Sequence, residues 1–95
     1  MKVKIAPKAE KQLDARRSWW RENRTERELF DEELEMAKKT LAESGETLPI
    51  VRIRAKPVRR WLMPRTACHL YFMIEDDTIT IVAAWGATRG REPRL

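Results

Sequence analysis

The chain has 95 residues, of which 42% are hydrophobic and 37% are charged, and its formal net charge is +5. A chain of this length forms one domain with a modest core, because it buries only about 60–65% of its unfolded surface. The composition excludes a membrane-spanning helix, which needs roughly 18–20 consecutive apolar residues, and the four tryptophans argue against a disordered chain.

The cellular compartment and cofactor use follow from what the sequence contains. The first residues carry no apolar signal region, so we expect a cytoplasmic protein. The single cysteine, Cys68, lies within an apolar run and is expected to be a small buried residue. One cysteine and one histidine are too few for a metal cluster, so we expect neither a metal nor another cofactor.

The N-terminal part predicts a strand followed by a helix. Residues 1–6 include the alternating pattern Lys-Val-Lys-Ile, which is typical of a short, half-buried strand. Pro7 suits the first turn of a helix, where the missing N–H is not needed. The first helix is expected over residues 7–23, with three core residues at helical spacing: Ala9, Leu13 and Trp20.

The tryptophans have alternative interpretations. Adjacent helical residues point about 100° apart, so Trp19 and Trp20 cannot both lie in one core. We assign Trp20 to the core and expect Trp19 to be partly exposed, where it either packs against a neighbouring element or anchors a helix of a bound partner protein. Trp61 and Trp85 are expected to pack on the sheet, with base stacking as the alternative.

A second helix is expected after a connection of one or two residues. Thr25 and Glu28 are three positions apart and fit a capping box at its start. Gly45 is a natural stop for this helix. Four apolar residues between these points form one helical stripe: Phe30, Leu34, Ala37 and Leu41. Because the connection is short, residues 7–45 are predicted to form an antiparallel helix hairpin.

Residues 50–85 change to the period of two that is typical of strands. The predicted strands are residues 50–56, 58–63, 67–74 and 78–85, separated by Pro57, by Pro64 and by an acidic turn at residues 75–77. Together with the helices they predict an α+β fold, with the helix hairpin on one face of a mostly antiparallel sheet and the other face open for function. A basic tail at residues 86–95 completes a single 1–95 domain.

The distribution of charge is the main indication of a binding surface. Six Lys or Arg residues and no acid lie between Arg52 and Arg65. In a strand, Arg52, Arg54 and Lys56 would share one face, and Val51, Ile53 and Ala55 the other. We predict that the cations of the second half form one exposed patch. Its members are Arg52, Arg54, Lys56, Arg59, Arg60, Arg65, Arg89, Arg91 and Arg94.

Such a patch has more than one interpretation. A positive surface attracts either an acidic protein or nucleic acid, so a small basic nucleic-acid-binding module is one candidate. An exposed cationic strand can also serve only to discourage edge-to-edge aggregation.

In this order the motifs resemble the RelE/ParE superfamily of toxins from bacterial type II toxin–antitoxin systems, most of all its ParE-like branch. The motifs that carry the resemblance are VKIAPKA at residues 3–9 with Leu13 one turn later, Arg59 with Arg60, HLYF at residues 69–72, and ITIVAAWG at residues 79–86 with Arg89. They span nearly the whole chain, although no one of them is specific.

The resemblance implies both a fold and a biological role. The implied fold is a small α+β domain with a helix pair on one face of the sheet. The implied partner is a cognate antitoxin, whose flexible C-terminal segment covers the toxin in a hetero-oligomeric complex. ParE-like members poison DNA gyrase, RelE-like members cut messenger RNA on the ribosome, and the family is linked to plasmid stabilisation and growth arrest.

The candidate catalytic residues help to distinguish the RelE-like from the ParE-like branch. Metal-free RNA cleavage needs a base, an acid and cations around the phosphorus. A ribonuclease would use His69, Arg65 and Arg89, with Tyr71 on the same strand face as His69. A lone histidine and tyrosine in a strand can equally be packing residues. The tail lacks the Tyr or His that RelE-like nucleases tend to place there, which favours a non-enzymatic, ParE-like binder.

Overall fold

A computed structural model describes residues 1–88 and 91–95 and has the α+β class expected from the sequence. The elements in chain order are β1 (Lys2–Ile5), α1 (Pro7–Asn23), α2 (Leu29–Ser44), a 3-10 turn (Gly45–Thr47), β2 (Ile50–Ile53), β3 (Lys56–Met63), β4 (Cys68–Glu75) and β5 (Thr78–Gly86). The five strands form one sheet in the order β1-β5-β4-β3-β2. Strand β1 is parallel to β5, and the other pairings are antiparallel. No helix in the described part of the chain has the length and apolarity to cross a membrane.

The helix pair differs from expectation at its connection. Helix α1 has the predicted bounds, but α2 begins only at Leu29, so five residues rather than one or two join the helices. The predicted capping box is wrong, because Glu28 occupies the cap position and no cap side chain makes a hydrogen bond. The helices are instead linked through Asp31, whose carboxylate pairs with Arg17 and Arg21 of α1.

The main core lies between the helices and one face of the sheet. The whole predicted stripe of α2 is buried there, together with Leu13 and Trp20 of α1. The neighbouring strands β4 and β5 contribute five fully buried side chains to this core: Cys68, Leu70, Phe72, Ile79 and Ile81. Cys68 is buried as predicted. Burial of this apolar surface is the principal stabilising contribution to the fold.

The strand predicted over residues 50–56 starts at residue 50 as expected, but its predicted end is wrong, because β2 ends at Ile53 and the chain turns at Arg54 and Ala55. Both turn residues have positive φ, 50° and 68°, as in the type I′ turns of two-residue hairpins. Pro57 does not interrupt a strand. It lies inside β3, before the pairing with β4 starts at Arg59, so its missing N–H breaks no bond between those strands.

The sheet face away from the helices is only partly open. It carries a second, smaller apolar cluster of Ile53, Val58, Tyr71 and Ala83, against which Leu95 packs. Residues 91–95 therefore return across the face that the sequence predicted to be open. The acidic turn between β4 and β5 is confirmed, with Asp76 and Asp77 both at positive φ, a conformation that aspartate tolerates well.

Gly45 ends α2 as predicted, but not for the expected reason. Its φ of −56° is helical, so no left-handed conformation requires glycine here. A Cβ atom at this position would instead lie 2.8 Å from Cδ1 of Ile79 and 3.4 Å from the ring of Phe72. Glycine allows the end of the helix to approach the buried face of the sheet closely.

Replacing Gly45 with alanine is expected to lower the free energy of unfolding by about 1–3 kcal/mol, because the added methyl group overpacks the contact with Ile79. At an unhindered helical position the same change would stabilise, since it restricts the unfolded chain. Urea unfolding measures the difference. The exposed residue Glu43 of the same helix provides the control, and Glu43→Ala should stay within about 0.5 kcal/mol of the wild type. A stabilised Gly45→Ala variant would contradict the close contact.

Candidate functional site

A cleft of about 330 Å³ opens on the sheet face away from the helices, and its walls include Arg60, His69, Tyr71 and Trp85. The sheet register brings these side chains together. Arg60 of β3 pairs with Tyr71 of β4, and His69 of β4 pairs with Trp85 of β5. Since alternate residues of a strand share a face, the four side chains lie on one side of the sheet. We call this the imidazole cleft.

His69 is held in its neutral form. Burial lowers its pKa below the ordinary value of about 6.5, and the nearby guanidinium of Arg60 lowers it further. Its Nδ1 atom is buried and has no hydrogen-bond partner among the described residues. The Tyr71 ring lies 6.0 Å away, centroid to centroid. His69 is therefore an unprotonated imidazole at neutral pH, and no described residue orients it through Nδ1.

The lowered pKa of His69 also affects the free energy of unfolding. The unfolded chain, with the higher pKa, binds the proton first as the pH falls. The contribution of His69 to stability is thus present above about pH 6.5 and is lost as the pH falls through the folded-state pKa.

The cations do not form the single predicted patch. Arg52 and Arg59 lie on the helix side of the sheet, since Arg52 pairs with Pro57 and Arg59 with Phe72 of the main core. Arg52 is exposed. Arg59 is half-buried, and its Nη1 donates to the carbonyl oxygens of Glu46 and Leu48. Arg59 therefore ties β3 to the segment that follows α2, which is a structural role.

Arg65 lies at the other end of β3, in the turn before β4. Its backbone N–H donates to Oε2 of Glu33 at 2.9 Å, and the same carboxylate accepts from the N–H and the hydroxyl of Thr66. The Arg65 side chain borders a surface depression with Glu26, Glu28 and Glu32. The Arg65 side chain thus shares this depression with acids of its own chain and does not line the imidazole cleft.

The remaining cations lie around the C-terminal segment. Arg54 and Lys56 donate hydrogen bonds to carbonyl oxygens of this segment. The Arg91 guanidinium lies 5.8 Å from the centroid of the Trp85 ring, at the edge of the imidazole cleft, and Arg94 is exposed. Arg89, also predicted as a site residue, lies outside the described residues. The prediction of one continuous cationic face is wrong, because the chain turns at Arg54 and does not continue as a strand.

The paired tryptophans of α1 behave as the sequence predicts. Trp20 is 8% exposed and lies in the main core, whereas Trp19 is 42% exposed. Trp19 meets Trp20 edge-on at 6.0 Å, and the Arg24 guanidinium lies 5.3 Å from its ring centroid. Trp19 and Arg24 therefore form an exposed aromatic and cationic pair on the surface of the helix pair.

Several residues that shape this face were missed from the sequence. Glu92 and Pro93 hold the C-terminal segment in place, and Lys8 binds it from the start of α1. One signal was available, because Glu92 is the only acid among residues 86–95. Among the described residues, no three His, Cys, Asp or Glu side chains are grouped so that they could hold a metal ion.

No protein-family model matches the chain, and no curated protein or solved structure matches it either. The family resemblance consequently rests on the sequence motifs, and the function has to be inferred from the site.

Removing the charge of Arg60 is expected to raise the pKa of His69. The pKa should remain below its ordinary value in Arg60→Ala, because burial, the larger of the two causes, persists. His69 is the only histidine, so its ring signals in an NMR titration identify themselves. Arg52→Ala, on the opposite side of the sheet, is the matched control and should leave the pKa unchanged. An unaltered His69 pKa in Arg60→Ala would contradict the electrostatic contact.

Proposed function

We propose that this protein is the cytoplasmic toxin of a type II toxin–antitoxin system, of the ParE-like kind, and that it arrests growth by binding DNA gyrase. The proposal draws its target from the family resemblance of the sequence motifs. The α+β fold, with its helix pair on one face of the sheet, is compatible with that resemblance. The mode of action, protein contact rather than catalysis, is argued from the surface.

Exposed apolar side chains on the sheet carry the argument for a protein target. Leu62 and Met73 lie on the face of the imidazole cleft and are 43% and 48% exposed. They flank the Arg60–Tyr71 pair along β3 and β4. Large apolar residues next to arginine are typical of protein interfaces, whereas nucleic-acid interfaces are more polar and more strongly positive.

The sheet edge offers a place for the antitoxin. Strand β2 is the last in the sheet order, and its outer edge is unpaired in the described part of the chain. Ile50 on this strand is 59% exposed. An extended antitoxin segment can add to such an edge through main-chain hydrogen bonds, with apolar side chains covering Ile50 and acidic side chains facing Arg52. The result would be a toxin–antitoxin hetero-oligomer.

Induction of the protein in bacterial cells is expected to stop growth, and the purified protein is expected to inhibit supercoiling by DNA gyrase. The double variant Leu62→Glu/Met73→Glu should lose both effects, because it places charge on the proposed contact face. Met36→Glu changes a more exposed apolar residue, on α2, and should keep both effects. Ribosome-dependent cleavage of messenger RNA with normal supercoiling would overturn the proposal.

A RelE-like endoribonuclease is the second candidate, and the imidazole cleft favours it. The cleft combines a neutral imidazole, which can accept a proton, with the cations Arg60 and Arg91. The absence of an orienting partner for His69 among the described residues argues against efficient general-base catalysis. The dispersal of the cations removes the observation that favoured a plain nucleic-acid-binding module.

If the protein cleaves messenger RNA, His69→Ala and Arg60→Ala are expected to abolish cleavage while the circular dichroism spectrum stays native. A residue that contributes general acid–base catalysis supplies roughly 10²–10⁴-fold in rate, so its loss would be easily measured. Arg65→Ala should keep full activity, because Arg65 lies away from the cleft. Full toxicity of both His69→Ala and Arg60→Ala would exclude the cleft as a catalytic site.

A further inference from the structure

The C-terminal segment, residues 91–95, is bound to the rest of the domain by its main chain. Each of its five residues accepts, at its main-chain oxygen, a hydrogen bond from a side chain of the folded body. The bonds are Trp85 Nε1 to Arg91 O at 2.9 Å, Arg54 Nη2 to Glu92 O at 3.3 Å, Arg54 Nε to Pro93 O at 3.2 Å, Lys8 Nζ to Arg94 O, and Lys56 Nζ to Leu95 O at 3.2 Å. We call the surface formed by Lys8, Arg54, Lys56 and Trp85 the carbonyl groove.

The side chains of the bound segment also contact the folded body at defined positions. Pro93 is fully buried in it, and Leu95 packs on the second apolar cluster. The Glu92 carboxylate accepts the backbone N–H of Arg54 at 3.0 Å. This donor belongs to the hairpin turn, whose positive φ at Arg54 is uncommon for a residue other than glycine. The groove thus fits an extended chain with the pattern acid, proline, any residue, apolar residue.

Recognition of this kind can be transferred from one chain to another. Hydrogen bonds to carbonyl oxygens do not depend on the side chains of the bound segment, and proline favours the extended conformation. A segment of another protein with the same pattern can therefore take the same five bonds. The buried proline position and the apolar contact of Leu95 favour a peptide over a nucleic-acid strand.

The charges around the groove show which peptide fits best. A cavity of about 400 Å³ beside the start of α1 is lined by four cations, Lys8, Arg54, Arg91 and Arg94, and by one acid, Glu92. Two of these cations belong to the bound segment itself, so the resident segment adds positive charge to a positive surface. A segment with acids in place of Arg91 and Arg94 would meet Lys8 and Arg54 with opposite charge.

We propose that the carbonyl groove is a binding site for an extended, acidic, proline-containing segment of a partner protein, and that residues 91–95 are its intramolecular occupant, which the partner segment displaces. The inference goes beyond the proposed function, because it concerns a defined peptide site and does not depend on the cellular target. Binding in trans has to compete with the resident segment, so weakening that segment strengthens binding of the partner.

Fluorescence anisotropy with two labelled pentapeptides tests the proposal on the full chain. One peptide repeats the resident sequence, Arg-Glu-Pro-Arg-Leu, and the other replaces both arginines, Glu-Glu-Pro-Glu-Leu. The acidic peptide is expected to bind about tenfold or more tightly than the basic one, and the advantage should shrink with added salt. The full-length variant Glu92→Ala/Pro93→Ala, with a weakened resident segment, should bind the acidic peptide about tenfold more tightly than the wild type.

Variants of the groove separate specific binding from general attraction of charge. Lys8→Ala and Arg54→Ala, each in the Glu92→Ala/Pro93→Ala background, should weaken binding of the acidic peptide by about five- to tenfold, since each removes charge-assisted donors. Lys11→Ala removes an exposed cation of the same helix and should leave binding unchanged. If Arg54→Ala fails to fold, the affinities of Lys8→Ala and Lys11→Ala for the acidic peptide still distinguish specific binding from general charge attraction.

Several outcomes would overturn the proposal. They are equal affinity for the two peptides, no binding of the acidic peptide to the variant with the weakened segment, or equal effects of Lys8→Ala and Lys11→Ala. Tighter binding of a single-stranded oligonucleotide of matched charge would assign the groove to nucleic acid instead. A wild-type dimer in sedimentation that Glu92→Ala/Pro93→Ala abolishes would identify the occupant as the segment of a second copy.

Discussion

The packing of the helix pair, α1 and α2, against one face of the sheet is the contact on which the rest of the structure depends. Phe30 and Leu41 of α2 and Phe72 and Ile79 of the sheet are fully buried in this core. The contact is close enough to leave no room for a side chain at Gly45. With this face of the sheet closed by the helices, every functional surface of the sheet has to lie on its edges or on its other face.

The other face is organised by the hairpin turn at Arg54 and Ala55. By ending β2 early, the turn puts Ile53 beside Val58 in the second apolar cluster and directs the backbone N–H of Arg54 toward Glu92. The turn and the C-terminal segment stabilise each other through hydrogen bonds between Arg54 and residues Glu92 and Pro93. The turn supplies hydrogen-bond donors, and the segment supplies the acceptors and covers the apolar cluster.

The chemistry on this face is that of recognition more than of catalysis. His69 is neutral, and its Nδ1 has no hydrogen-bond partner among the described residues. The cations are divided among separate contacts, and the exposed side chains beside them include Leu62 and Met73. Three features support the proposed protein partners: the edge of β2, which is unpaired in the described part of the chain, the apolar residues around the imidazole cleft, and the carbonyl groove. The proposed toxin, which would bind a target and be neutralised by an antitoxin, would need more than one such surface.

The candidate site was predictable in its residue types but not in its arrangement. The sequence assigned Arg60 to a cationic patch, His69 and Tyr71 to one strand face, and Trp85 to packing on the sheet. Only the register brings Arg60, His69 and Trp85 together. The sequence also indicated a continuous cationic strand through Arg54, which is wrong. A type I′ turn is usually recognised in a sequence by Gly or Asn, and the Arg-Ala pair has neither. The turn is stabilised here by contacts of Arg54 with Glu92 and Pro93, which are 38 and 39 positions further along the chain.

By itself the sequence determined the α+β class, the bounds of α1, the buried stripe of α2 and the burial of Cys68, because periodicity of apolar residues is a local property of the chain. Only the tertiary structure decided where β2 ends, which cations are bound internally and that residues 91–95 lie across the sheet. These features depend on contacts between distant positions, such as Lys8 with Arg94, 86 residues apart. No local pattern encodes such a contact, since it forms only when the core has fixed the positions of both partners.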